Sequence, residues 1–305
     1  MYRLSAPPLG PVSAPRGAGG PALIAVAHGS RDPRSAATMA AVVAEVAAAR
    51  PDIPVRLAFL DLSAPSVDEV VDDLAARGHT DVIVVPLLLG SAFHARVDLP
   101  ALLADATRRH SRLQLTQAPV LGPDPALISA LADRVATACR LPSLTAPTAT
   151  DSQPAAQLSA DHGSTATTLH ASMLAPLSVV TPAVPRGGPS LGIAVAAVGS
   201  RDAAANRRTA VVARRLAAVT GCPTEICFAT VDPGVAPAVD RLRARGAERI
   251  VVAPWFLAPG LLTDRLVAAA PEVVHADVIG AHAALVEVIW TRYDDGVAAD
   301  LELSA

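Results

Sequence analysis

LIAVAHGSRDP spans residues 23–33, and GIAVAAVGSRD spans residues 192–202. Each is a short unbroken apolar run followed by Gly-Ser-Arg-Asp. An apolar run of this length, bounded by turn residues, is the pattern of a strand buried on both faces, as in a parallel sheet. The copies differ where the strand meets its loop. His28 in the first copy corresponds to Val198 in the second. The recurrence decides the fold, and the difference marks where chemistry is to be sought.

Outward from the first copy, SAATMAAVVAEVAAAR reads as a helix ending before Pro51, and VRLAFLD as a strand. APSVDEVVDDLAARG reads as a helix with Pro65 near its start and Gly78 just past its end. DVIVVPLLL, DLPALLADATRRH, LQLTQAP and DPALISALADRVATAC continue the alternation of strand and helix. The second copy repeats it: LGIAVAAV, NRRTAVVARRLAAVTG, TEICFAT, DPGVAPAVDRLRARG, ERIVVAPWFL, LLTDRLVAAAP, VVHADVIG and AHAALVEVIWTRY. The middles align without a gap, since Pro65 to Pro86 and Pro233 to Pro254 are both 21 residues. A repeat of roughly 100 residues is too long for a solenoid unit. Strands alternating with helices predict βαβ units and a parallel sheet.

The expected architecture is therefore α/β. It has two tandem duplicated domains, residues 22–139 and 191–293, each a four-stranded parallel sheet with helices on both faces. A Pro/Gly/Ala-rich leader (1–21), a flexible Pro/Ser/Thr/Ala-rich linker (140–190) and a tail (294–305) surround them. The linker segment DHGSTATTLH mimics the first motif, but no apolar strand precedes it. His162 and His170 are accordingly read as decoys.

A chain of 305 residues, 51% hydrophobic and 17% charged, has material for two packed cores. Basic residues (25) and acidic residues (28) nearly balance, which argues against a nucleic-acid or anionic-membrane partner. Apolar stretches such as VIVVPLLL fall well short of the roughly 18–20 residues that span a bilayer. The N-terminal stretch lacks the apolar centre of a signal peptide. Cys139, Cys222 and Cys227 form no CxxC, consistent with a reduced, cytoplasmic setting. All positive side-chain charge outside histidine is arginine, whose planar fork binds carboxylates bidentately.

Loops that follow parallel strands gather at the carboxyl edge of the sheet, where ligands usually bind. In the first copy His28 ends the first strand, Asp61 ends the second, and His94 lies in the loop after the third. Two imidazoles and a carboxylate brought to one edge suit a divalent first-row metal. The second copy supplies an internal control. At the spacing set by the prolines, Asp61 falls on Ala229 and, with a small gap, His94 falls near Gly260–Leu262, while the shared Gly-Ser-Arg-Asp puts His28 on Val198. All three candidate ligands are missing together while the scaffold persists, which is the mark of one shared site kept in one copy. His79, His110, His275 and His282 are read as structural.

AHGSRDP (27–33), AFLDLSAPSV (58–67) and VVPLLLGSAFHARVDLP (84–100) resemble the sirohydrochlorin chelatases among the class II tetrapyrrole chelatases, and LGPDPAL (121–127) matches more weakly. The resemblance covers both copies and points to the long, two-domain form. It implies insertion of Fe²⁺, with Co²⁺ second, into sirohydrochlorin on the way to siroheme or cobalamin. The divalent metal is then a substrate, no organic cofactor is needed, and the protein works as a monomer or homodimer. Family metal-binding histidines carry over to His28 and His94. Where this chain has Asp61 the family often has Glu, one methylene longer. Asp61 is thus a ligand, a ligand through water, or an orienting group or base. Ser30, Arg31, Arg34 and Arg96 flank the histidine loops and are the candidate substrate-binding residues. Rival readings are a non-catalytic carrier and a histidine phosphatase, which would have Arg where Ala27 stands. A dinucleotide site is a weaker rival, because HGSRDP lacks GxGxxG.

Overall fold

The computed structural model describes residues 20–90, 97–140 and 190–303. The expected leader and linker, with His162 and His170, lie outside the described residues apart from residues 20 and 21 of the leader and the two end residues of the linker, Arg140, which ends a helix, and Ser190.

In the first copy the order is β1 (Ala22–Ala27), α1 (Pro33–Ala49), β2 (Val55–Phe59), α2 (Val67–Ala76), β3 (Asp81–Pro86), α3 (Leu99–Arg109), β4 (Gln114–Gln117) and α4 (Pro125–Arg140). The second copy contains β5 (Leu191–Ala197), α5 (Ala203–Thr209), α6 (Val211–Thr220), β6 (Thr224–Phe228), α7 (Val235–Ala244), β7 (Arg249–Pro254), α8 (Leu261–Ala269), β8 (Val274–His275) and α9 (Ala283–Leu303). Both sheets are four-stranded and parallel, with the same order: β2-β1-β3-β4 and β6-β5-β7-β8.

The unbroken apolar runs follow from burial of both sheet faces. In β1 every residue is buried, and alternate residues enter different cores. Leu23, Ala25 and Ala27 face inward, where the two lobes meet, and Ala22, Ile24 and Val26 face outward under α2 and α3. β5 divides likewise, with Ile193, Val195 and Ala197 inward and Ala194 and Ala196 outward under α7 and α8. One inner core runs through both lobes, from Leu23 and Val46 to Val195 and Ile289.

The last helix of each copy does not cover its own sheet. α4 packs on β7, β8 and α6 of the second copy, and α9 packs on β3, β4 and α1 of the first. Hydrogen bonds record the exchange. Arg134 Nη2 in α4 donates to Ile279 O (2.7 Å), and Arg249 Nη2 donates to Cys139 O (3.2 Å). In return Trp290 Nε1 in α9 donates to Val46 O (3.2 Å), and Tyr293 Oη donates to Pro21 O (2.6 Å). Arg50 stacks on the Trp290 ring at 4.4 Å and forms a bidentate bridge to Asp294, both contacts 2.7 Å.

Three expectations are corrected. The tail expected from residue 294 is the second half of α9. Asp294-Asp295-Gly296 reads as a helix stop, yet at Gly296 α9 lies against Ile83 of β3. The helix expected across NRRTAVVARRLAAVTG is two, joined at Ala210, and the strand expected in VVHADVIG shortens to two residues.

Candidate active site

β1 and β2 run parallel with Ala27 opposite Phe59, so His28 and Asp61 leave the same edge. The loops that carry them are stitched together by backbone. Leu60 N donates to Ala27 O (2.9 Å), and Asp61 N donates to His28 O (3.0 Å). Gly29 has φ +93°, and a Cβ there would collide with Asp61 O, so only glycine lets the loops approach this closely. Beyond it, Ser30 N donates to Ser63 Oγ (3.1 Å), Ser63 Oγ donates back to Ser30 O (3.0 Å), and Ser63 N donates to Asp61 O (2.8 Å). Leu62, between the two carboxyl-edge residues, takes φ +61°. Asp61 Oδ1 accepts from Leu62 N (2.7 Å), which turns the carboxylate toward the loop. His28 and Asp61 are both exposed.

Asp32 closes this loop. Its N donates to Ser30 Oγ (3.0 Å), and its carboxylate caps α1 by accepting from Arg34 N (3.0 Å). The Arg34 guanidinium grips the same carboxylate (2.6–3.2 Å) and, on its other side, the carboxylate of Asp264 in α8 (2.6 and 3.2 Å). The hydrogen bonds from Arg34 hold the Asp32 carboxyl below the usual carboxylate range, and those to Asp32 and Asp264 push Arg34 up. Gly260, which opens α8, lies beside Asp32, so the carboxyl-edge loops of the two lobes meet here.

Arg34 therefore sits between two carboxylates of the protein itself, in place of the expected role toward substrate carboxylates. Ser30 spends its hydroxyl on Asp32 N and both backbone groups on Ser63. Arg31 is exposed on the same loop. His94 and Arg96 lie outside the described residues. Among the described residues no three His, Cys, Asp or Glu side chains form a group that could hold a metal.

The second copy keeps the loop and loses the chemistry. Gly199 has φ +91°, Thr230 N donates to Val198 O (3.1 Å), and Asp202 N donates to Ser200 Oγ (3.1 Å). These bonds place Val198 at the position of His28, as expected, but Thr230 rather than Ala229 at that of Asp61. Five residues separate Phe59 from Pro65 and four separate Phe228 from Pro233, and alignment on the prolines hides that extra residue. Apolar side chains stand exposed at the carboxyl edges of both lobes: Leu62 (50%) in the first, Val198 (44%) and Leu261, the first residue of α8 (60%), in the second.

The sequence reading missed Ser63, Asp32 and Asp264. The Ser-Arg-Asp common to both copies was the available signal for Asp32: what both copies keep is scaffold. Asp264 carried none, because its partner is remote in the chain. Of the remaining histidines, His110 pairs with Asp72 (2.7 Å), His275 with Ala270 O (2.8 Å), and His282 Nδ1 accepts from Ala284 N (3.2 Å) at the start of α9.

The CbiX family model matches two blocks of the chain, residues 22–138 and 192–296. The chain belongs to the CbiX family. Similar proteins include the sirohydrochlorin cobaltochelatase of Methanococcoides burtonii, 32% identical over 81 residues, or 27% of this chain and 62% of that protein. The sirohydrochlorin ferrochelatase of Bacillus subtilis is 30% identical over 115 residues, 37% of this chain and 44% of that protein. The chain thus spans less than two thirds of the length of these curated relatives. Solved structures share the two-lobed fold. SirB from Bacillus subtilis with Fe³⁺ matches with TM-score 0.65 at 19% identity, over 92% of this chain and 97% of that one. The CbiX described as the terminal enzyme of siroheme biosynthesis in denitrifying bacteria matches with TM-score 0.58 at 21% identity, over 90% of this chain and 98% of that one.

Proposed function

We propose that this CbiX protein is a sirohydrochlorin chelatase that inserts a divalent metal, Fe²⁺ first and Co²⁺ second, into sirohydrochlorin. The observation that carries the reading is the pairing of His28 and Asp61 across adjacent parallel strands, in one copy only, in a family whose relatives are named for this reaction. The metal preference follows the longer alignments, of 115 residues, which are to proteins named ferrochelatases. No described helix is long and apolar enough to cross a membrane.

Insertion places one M²⁺ in the ring and releases two pyrrole protons, so charge balances. His28 and His94 hold the ion as neutral imidazoles, and an imidazole also accepts a proton near neutral pH. Holding metal and accepting a proton compete on one ring, which gives Asp61 the role of orienting group or second acceptor. The exposed apolar side chains Leu62, Val198 and Leu261 give a large flat ring apolar contact at the mouth between the lobes. Arg31 and Arg96 remain candidates for its carboxylate rim.

The test is the absorbance of sirohydrochlorin with purified protein and Fe²⁺ or Co²⁺, under anaerobic conditions. Catalysis appears as conversion faster than in the protein-free control. His28→Ala and His94→Ala are each expected to cut the rate by more than the roughly 10- to 100-fold lost with a residue that only orients a ligand. Their thermal midpoints stay at the wild-type value. Binding of ring and metal without acceleration would make the protein a carrier instead.

A further inference from the structure

We propose that Asp264, in the copy that lacks the candidate ligands, is a positioning residue for the metal-holding loops of the other copy, acting through Arg34. The inference rests on the reading of His28 and Asp61 as metal-holding groups. The connection is continuous. Asp264 binds Arg34 through both carboxylate oxygens, and Arg34 binds both oxygens of Asp32. Asp32 N holds Ser30 Oγ, Ser30 and Ser63 exchange two bonds, and Ser63 N and Asp61 N tie the next loop to Asp61 O and His28 O.

Burial gives the link its importance. Asp32 is 8% exposed, so its charge depends on Arg34 rather than on water. Arg34 is half-exposed on a long flexible side chain, and Asp264 confines it to the one orientation that serves Asp32. Among the described residues the second copy shows no such cross-lobe link at Asp202. Ala204 stands at the position of Arg34, and Asn206 secures Ser200 locally, accepting from its N and donating to its O (both 2.8 Å). The cross-lobe anchor belongs to the loop with the histidine. The second lobe is then retained because it braces the first.

The experiment compares wild type, Asp264→Asn, Asp264→Glu and Arg34→Lys. Asp294→Asn serves as the control, because it breaks a bidentate bridge of similar exposure between the lobes, far from these loops. Each protein is titrated with Co²⁺ alone, following affinity and the cobalt absorption bands, and then assayed for insertion. Asp264→Asn is expected to weaken Co²⁺ binding and lower kcat by about three- to tenfold, between an exposed ion pair and a ligand-orienting group. KM for sirohydrochlorin and the thermal midpoint stay unchanged. The cobalt bands shift, Asp264→Glu recovers part of the loss, and Arg34→Lys shows it too. Wild-type cobalt affinity, bands and kcat in Asp264→Asn would overturn the proposal, as would an equal loss in Asp294→Asn. A wild type with neither insertion nor His28-dependent cobalt binding would overturn the functional reading itself, and this proposal with it.

Discussion

At Gly29 the backbone of one loop passes so close to Asp61 O that no side chain fits. A residue forced into this conformation must open the Asp61 N–His28 O contact, the bond that brings the two candidate ligands together. Gly29→Ala is expected to destabilise the fold by about 2–4 kcal/mol, through left-handed strain plus the clash. A urea midpoint within error of wild type would show that the loops part freely. This glycine was readable in the sequence because both copies keep it, whereas His28 stood out because one copy drops it. The exact partner of Asp61 in the second copy was not readable. A single inserted residue, accommodated at Leu62 with φ +61°, leaves both prolines in register while shifting everything just before them. Only the ladder bonds of Asp61 and Thr230 reveal it.

Among the elements, the strands were legible and the destinations of the last helices were not. A strand buried on both faces must be apolar throughout, so β1 and β5 announce themselves. A helix shows only that one stripe is apolar, never which sheet will receive it. α9 illustrates the difference. Asp294, Asp295 and Gly296 end a helix on local rules, yet Asp294 binds Arg50, and Asp300 accepts from Thr116 Oγ1 (2.9 Å) and from Gln114 Nε2 across the lobe boundary. At Gly296 a Cβ would lie 2.7 Å from Cγ2 of the buried Ile83. Gly296→Leu is therefore expected to cost about 1–3 kcal/mol by overpacking, despite leucine's better helix propensity. Chemical denaturation measures it, and a stabilised variant would mean that α9 does not press on β3 at this point.

For the molecule as a whole, exchange of α4 and α9 turns two homologous units into one cooperative body. Each sheet's inner face is closed by a helix encoded in the other copy. Residues 20–140 and 190–303 expressed separately are expected to fail as folded monomers, each exposing the inner face of its sheet together with the apolar stripe of its unpaired helix. Dispersed NMR spectra from either fragment as a monomer would contradict this. Mixing the fragments is expected to restore a compact heterodimer, seen by size-exclusion chromatography and near-UV circular dichroism.

The amino-acid sequence by itself determined the α/β class, the duplication, the alternation of strand and helix that makes a parallel sheet in each copy, and the one copy that holds His28, Asp61 and His94. These are consequences of local periodicity and of comparison within the chain. The tertiary structure alone decided which helix closes which sheet, that Arg34 serves Asp32 and Asp264, and that Asp61 sits opposite Thr230 in the internal repeat. Those outcomes depend on side chains far apart in sequence meeting across a shared core, where burial and hydrogen-bond geometry, not spacing along the chain, select the partner.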